Sequence, residues 1–285
     1  MPRLEPVQAV PAKPPKYGIF AALPALTDGR WEFGFQFLPE ACGISGAVEI
    51  ECAGTTPEVG PLDQPSVVSG EPFVVFSEDR CSTFGWQSRD WQGRAKRQLI
   101  ATRSYQIARE VWSGALATGA GLDNIPLTDP TSVTVGTGPM AARHALACVE
   151  AALASCCQGC VGLVHMTPQM LTELAAFPNV VMLAGGSWIT ANGHVVVPDA
   201  GYDGSGPGGT PAGDTQWIYG TSMMGLRSTD ITTLPASDED MGVQMARATN
   251  DMVVTAYQVV AVQWDNCCHV AAEVDVPVCV LGGNS

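Results

Sequence analysis

The spacing of apolar residues changes period several times along the chain, and each change marks an element. Ile100, Ala101, Ser104, Tyr105, Ala108, Val111 and Trp112 recur at the i, i+3, i+4, i+7 spacing of one helical face. This predicts a long helix over residues 90–114, closed by Gly114, whose left-handed freedom suits a helix C terminus. Ala115 to Gly121 is too small and flexible to carry the helix further. Followed backwards, the same face meets Arg97 and Arg94. The first turns are therefore expected to run over a surface or a neighbouring subunit, and the later turns to belong to a core.

Upstream, Trp31 to Leu38 alternates large apolar residues with smaller or polar ones, and Ala47 to Cys52 and Phe73 to Phe76 are further short strand candidates. Gly54 to Gly70 between them is a long connection rich in Pro, Gly and Thr. Met1 to Lys16 holds five prolines, which favour an extended arm that orders only on assembly. Downstream, strands are predicted at Thr131 to Val135 and Val161 to Met166, around a helix from Ala141 to Ser155 with Leu146, Val149, Ala152 and Leu153 inward. Thr167 caps a short helix that starts at Pro168 and packs through Met170, Leu171 and Leu174. Val180 to Leu183 and His194 to Val197 follow as strands, the second with the continuous apolar character of a central strand. This part reads as an α/β sandwich. Asp199 to Asp214 is a loop, and Trp217 to Tyr219, Met223 to Leu226 and Ile231 to Leu234 are strands. Met241 to Asn250 reads as a helix or the approach to one, and Met252 to Val262 and His269 to Val280 close the chain.

Composition narrows the function classes. With 285 residues, 46% of them hydrophobic, the chain can bury a sizeable core. A net charge of -14 argues against sequence-independent nucleic-acid binding, which needs clustered Lys and Arg. Arg80, Arg89, Arg94, Lys96, Arg97, Arg103 and Arg109 hold half of the basic residues, and only Arg143, Arg227 and Arg247 follow Glu110. Such an uneven distribution suits contact between copies of one chain, and a solvated basic helix face explains it equally well. The prolines of Met1 to Lys16 leave no room for an apolar signal core, so a soluble protein made in a cytoplasm is expected, with no membrane partner. Ten cysteines in a chain of this length are expected to be mostly buried, reduced thiols.

Three constellations bear on chemistry. Gly136-Thr137-Gly138-Pro139-Met140-Ala141 matches G-x-G-x-x-A between a strand and a helix. Pro139 removes an N–H from that turn, and the next strand ends at His165-Met166 without an acidic ribose ligand, so a tight turn accounts for the glycines. Cys157-x-x-Cys160 has zinc-knuckle spacing. Its partners would be Cys267 or Cys268 with His269, and adjacent strand residues point to opposite faces, so no metal is expected. Gly185-Gly186-Ser187-Trp188, with His165 or His194 as base, lacks the second glycine of a nucleophile elbow. No catalytic residue and no cofactor are expected.

The succession of elements then carries a resemblance. An N-terminal arm, an extended loop region, a long helix with Arg94-Ala95 through Arg109-Glu110-Val111-Trp112-Ser113-Gly114, and an α/β unit resemble the HK97-like fold of tailed-phage major capsid proteins and encapsulins. Gly162 to Pro168 followed by Met170-Leu171 is similar to that family's axial strand-to-helix step, and Gly193 to Pro198 to its central strand. Asp214 to Thr221 and the run from Asn250 through Trp264 to Val276 resemble the strands returning to the peripheral domain.

The resemblance implies an α+β capsid fold. Residues 1–83 would form the arm and extended-loop region. Residues 84–135 and 216–285 would form the peripheral domain with its spine helix at 90–114, and 136–215 the axial domain. It implies a structural subunit, not an enzyme, that assembles with itself into pentamers and hexamers, with scaffold or other capsid proteins as further partners. The shell would enclose double-stranded DNA without sequence-specific binding and form in the bacterial host cytoplasm as part of a virion. With only Lys13, Lys16 and Lys96 as lysines, covalent cross-linking is not inferred. The basic first turns of the helix, Arg94, Lys96 and Arg97, are the expected subunit interface. The alternatives are a cytoplasmic α/β nucleotide-cofactor enzyme built on the Gly136 turn, or another virion part such as a tail or connector protein.

Overall fold

The computed structural model describes residues 10–39, 67–82, 90–234, 244–246 and 251–277. The first nine residues of the arm, the strand expected at Ala47 to Cys52 and most of the extended-loop region lie outside them.

The long helix is present as α2 (Trp91–Ser113), close to the predicted bounds. Its N-cap is Asp90, whose side chain accepts the Gly93 N–H at 2.8 Å. A Cβ at Gly93 would sit 1.9 Å from that carboxylate, so glycine is what lets the cap close. Gly114 ends the helix at φ 61, ψ 30, the left-handed stop its position predicts. The buried face differs from the expected one. It runs Trp91, Ala95, Leu99, Ser104, Ile107, Ala108, Val111 and Trp112, whereas Tyr105 is 46% exposed and Ile100 and Ala101 are half-buried. The stripe is thus rotated toward Leu99 and Ile107 and reaches the first turn, so Arg94 and Arg97 flank it instead of interrupting it. Ala115 to Gly121 was expected to be non-helical, yet Ala115–Ala120 forms a short helix, α3. The reason is a local side-chain cap: the buried Glu110 carboxylate, six and seven residues upstream, accepts the Leu116 and Ala117 N–H groups, both at 2.8 Å, and so caps a segment with little propensity of its own.

α2 lies against a sheet organised by one long strand, β13 (Asp251–Trp264). On one side β13 pairs antiparallel along ten residues of β3 (Phe73–Ser82). On the other it hosts three short strands end to end: β10 (Met224–Ser228), β11 (Thr232–Leu234) and β12 (Gln244–Ala246). β12 corrects the helix expected at Met241 to Asn250: residues 244–246 extend along β13, and the remainder of that span, apart from these, is outside the described residues. The outer edge of β3 is not left bare, because the Gln106 side-chain amide on α2 donates to Phe76 O at 3.0 Å and accepts from Phe76 N at 3.2 Å. An edge closed in this way cannot recruit another strand at that point.

β1 (Phe35–Phe37) pairs antiparallel with β2 (Val68–Gly70) in a two-stranded sheet. The alternation expected over Trp31 to Leu38 survives only in part. Phe35 and Phe37 stack at 6.2 Å, Trp31 is buried and Phe33 is fully exposed. Gly70 makes room for the Phe35 ring, whose edge lies 2.5 Å from where a Cβ would be.

The second sheet has seven strands in the order β4, β14, β9, β5, β8, β7, β6. They are β4 (Val133–Met140), β5 (Leu163–Met166), β6 (Val181–Ala184), β7 (Ser187–Thr190), β8 (Val195–Pro198), β9 (Gln216–Thr221) and β14 (His269–Val274). The β5–β8 and β4–β14 pairs are parallel and the others antiparallel. Alternate residues divide between two cores. Leu163, Val197, Tyr219 and Ala271 face α2, with α1 (Ile19–Ala22) beside it, while Val164, Val196, Ile218 and Ala272 face α4 (Ala142–Cys156) and α5 (Pro168–Ala175). Burial on both faces explains why these strands are continuously apolar. β9 and β14, on the peripheral side of the expected boundary at 215/216, are hydrogen-bonded into this sheet, so the sheet spans that boundary. Among the described residues, no helix is long and apolar enough to cross a membrane.

Candidate functional site

The basic first turns of α2 are tied to their own chain to different degrees. Arg94 Nε lies 3.0 Å from Asp79 Oδ2 on β3, and its guanidinium stands 5.4 Å from the Trp91 ring, so it bridges helix and strand. Arg97 pairs with the N-cap carboxylate of Asp90 at 3.2 Å, both side chains being largely exposed. The Gly93 N–H, and secondarily Arg97 and Lys96, hold the Asp90 carboxyl below its usual range. Lys96 is exposed. Further along, Arg103 stacks over Phe20 at 3.5 Å and donates to Gln258 at 3.2 Å. The outward cations are therefore Lys96 and Arg97, while Arg94 and Arg103 hold the helix against its own sheet and α1.

Between α2 and the seven-stranded sheet runs a buried polar seam that the sequence reading does not single out. Asp199, just after β8 and 2% exposed, accepts three donors: Ile19 N at 2.9 Å, Ser104 Oγ at 2.7 Å and Gly201 N at 3.0 Å. One carboxylate thus ties α1, α2 and the loop after β8 together. Gly201 lets that loop touch the helix, since a Cβ there would lie 2.3 Å from Tyr105 O and 2.8 Å from Arg109 N. Next along the seam, the Trp112 ring sits between Tyr202 and Tyr219, at 4.7 and 4.9 Å, and its Nε1–H donates to Ser205 Oγ.

His165 completes the seam. Thr221 Oγ1 donates to Ser222 O, so it accepts from His165 Nε2–H at 3.1 Å, and His165 Nδ1 then accepts from the Tyr202 hydroxyl at 3.0 Å. Burial, with a smaller contribution from His269, pushes His165 down to about 3. His269 donates to Leu127 O at 2.8 Å, and burial lowers it to about 4 against the opposing pull of that bond and of Asp129. Burial raises the Tyr202 and Tyr219 hydroxyls. These shifts arise chiefly from desolvation inside a packed core.

The nucleotide-fingerprint glycines do not form a strand-to-helix cradle. Gly136 to Met140 belongs to β4, and Gly136 (φ 88) and Gly138 (φ 137) form an irregularity where four residues of β4 stand against one of β14. Ser187 opens β7 after the Gly185-Gly186 turn, and His194 bonds the other end of that strand at Thr190, about 10 Å away along the chain. His194 Nδ1 instead accepts from Gly162 N at 3.0 Å. No serine–histidine pair arises from the residues the sequence suggested.

The expectation of reduced thiols is corrected at Cys156, Cys267 and Cys268, which are disulfide-bonded. Cys156, at the end of α4, forms a disulfide with Cys268, in the turn before β14, with Cα atoms 5.6 Å apart. Among the described residues, Cys148, Cys157 and Cys160 are free. Burial, then Cys160 and Asp265, push the Cys157 thiol up to about 12. The missed signal was spatial: the two segments are separated by 112 residues and meet only because α4 packs on β14.

No protein-family model matches the chain, and no curated protein matches it. Solved structures do. The capsid of an empty GTA particle aligns with a TM-score of 0.56 at 11% identity, covering 97% of this chain and 95% of that one. A chain of the Gordonia phage Cozz gives 0.56 at 12% identity, covering 96% and 91%. An encapsulin complex from Synechococcus elongatus gives 0.56 at 9% identity, covering 99% and 96%. At these identities the likeness is one of fold, and it extends over almost the whole chain.

Proposed function

From the HK97-like α+β fold that the chain shares with those particles, we propose that this protein is a shell subunit that assembles with copies of itself into rings of five and six and then into a closed icosahedral particle. The observation that carries this is the near-complete, two-way coverage of capsid chains, with the long helix and both sheets included. A partial match would leave the shared fold as a module within some other activity. The content we assign to the shell is double-stranded DNA, as in a phage head formed in a bacterial cytoplasm, held without sequence-specific contacts. A net charge of -14 suits a wall that does not grip its contents, because each phosphate contact needs a cation.

Lys96 and Arg97 are the interface residues in this reading, since Arg94 is engaged by Asp79 of its own chain. They would meet an acidic surface of the neighbouring subunit, where a weak contact repeated in every copy biases assembly. No step of the proposal involves catalysis. Negative-stain microscopy and light scattering of the purified protein test it. Rings or particles of megadalton scale are expected, and a protein that stays monomeric to tetrameric at all concentrations and salts overturns it. Particles that carry protein and exclude DNA would replace the phage-head reading with an encapsulin one.

A further inference from the structure

Two short crossings carry the chain directly between the two large sheets: Ser222 and Met223, from β9 to β10, and Asp265 to Cys268, from β13 to β14. They are bonded to each other, since the Ser222 hydroxyl donates to Asp265 O at 2.8 Å and the Ser222 N–H to Cys268 O at 3.3 Å. α4 lies on the far face of the seven-stranded sheet and packs chiefly on β4, β9 and β14. The Cys156–Cys268 disulfide therefore ties this outer helix to the junction between the sheets, across a sequence separation of 112 residues. The helix is seated by its apolar face, so the Cα separation of 5.6 Å, inside the ordinary disulfide range, does not depend on the bond being closed. Cys156 Sγ also stands 3.1 Å from Cys267 O, where a free thiol would keep a weak hydrogen bond. Access is one-sided. Cys156 reaches solvent whereas Cys268 is 1% exposed, so a small thiol or disulfide must enter at Cys156. Cys157 has its Sγ within 4.8 Å of both, but burial pushes its thiol up to about 12 and leaves little thiolate to compete for either partner.

We propose that Cys156 and Cys268 form a redox switch that locks α4 to the junction between the sheets, open as two thiols in a reducing compartment and closed by oxidation outside it. The compartment rests on the cytoplasmic assembly proposed above, where cellular thiols keep cysteines reduced. The lock itself is a property of the subunit. In closing, the Cys156 thiolate attacks a small-molecule disulfide, such as oxidised glutathione, and releases one glutathione thiolate. The Cys268 thiolate then attacks Cys156 Sγ in the mixed disulfide and releases the second. The protein loses two electrons and two protons, and the small disulfide becomes two thiols.

The test uses the full-length protein. Cells expressing it are quenched in acid and alkylated, and both Cys156 and Cys268 should carry the alkyl label. The pair already joined at that stage would overturn the switch. The purified, reduced chain is then treated with oxidised glutathione. Peptide mapping should recover the Cys156–Cys268 link, the thermal midpoint should rise by about 5–15 °C because a loop of this length constrains the unfolded chain, and amide exchange at Ser222 and Cys268 should slow at least about tenfold. Cys156→Ser should abolish both changes, which separates this pair from the disulfide at Cys267. Cys148→Ser, a free cysteine, should behave as wild type. Equal midpoints and equal exchange in the oxidised and reduced wild-type chains, or the same gain in Cys156→Ser, would overturn the lock. These readings are made on subunits, so a failure to form particles would count against the shell and leave the lock to be judged by its own result.

Discussion

α2 and α4 cover opposite faces of the seven-stranded sheet, and they are held there by different physics. α4 presents Ala145, Leu146, Val149 and Leu153, lacks a side-chain N-cap, and seats itself by shape. Leu153 is fully buried, with Gly220 small enough that a Cβ there would lie 2.9 Å from Leu153 Cδ1. α2 also buries an apolar stripe, from Trp91 to Trp112, and is fixed in addition by discrete bonds: Ser104 to Asp199, Trp112 to Ser205, Gln106 to Phe76, Arg94 to Asp79. An apolar face tolerates small sliding, because dispersion and burial change gradually with position. A helix fixed by oriented bonds has one register. A long helix bearing outward cations gains from that, because the angle at which Lys96 and Arg97 leave the molecule is set by the bonds on the other side.

The largest expected effect that separates the two modes is at Asp199. Asp199→Ala leaves the Ile19 N–H, the Ser104 hydroxyl and the Gly201 N–H without their acceptor, at about 1–3 kcal/mol for each buried group. Urea denaturation should show a loss above about 3 kcal/mol, with Asp199→Asn intermediate because one amide cannot accept from all three donors. A loss below about 1 kcal/mol would mean that packing, not the carboxylate, places α2. Leu153→Ala on the α4 side should cost about 2–5 kcal/mol as a cavity, with partial recovery in Leu153→Met. Equal costs for the alanine and methionine variants would show that shape is not what holds α4.

Acid should act on the α2 side first, since His165 and His269 both lie there. Their folded-state values, about 3 and about 4, lie below the ordinary 6.5, so below pH 6.5 the unfolded chain takes up protons that the folded chain refuses. Stability is therefore fully present above pH 6.5 and is lost as pH falls toward the folded values, by up to about 1.4 kcal/mol per pH unit for each histidine. Urea midpoints between pH 7.5 and 5 should fall, and His269→Gln should flatten the slope by up to half. Hydrogen exchange at pH 5 should quicken in α2 before α4, and the reverse order would contradict the placement of the seam.

The smallest effect on folding is expected at the outward cations. Lys96→Glu with Arg97→Glu should change monomer stability by less than about 1 kcal/mol, because the Arg97–Asp90 pair is exposed. The same change should raise the concentration needed for assembly, most clearly at low salt. Assembly at an unchanged concentration would assign these residues to a solvated helix face.

What the sequence by itself determined was whatever is encoded within a few residues. The bounds of α2 follow from Asp90 and Gly114, the start of α5 from Thr167 and Pro168, and the apolar runs of β5 and β8 from a sheet covered on both faces. The order of these local elements also sufficed to expect the fold that the solved capsids share. Only the tertiary structure decided which face of α2 is buried, since the Leu99 and Ile107 stripe and the Ile100 and Tyr105 stripe are both periodic and the choice depends on what lies opposite. It also decided that residues 244–246 are a strand, because β13 offers them an edge. Asp199 and the Cys156–Cys268 disulfide were illegible for the same reason. A carboxylate that meets Ile19 and Ser104, and a Cys156 that meets Cys268, are joined across 95 to 180 residues, and no local propensity registers a partner that only folding brings near.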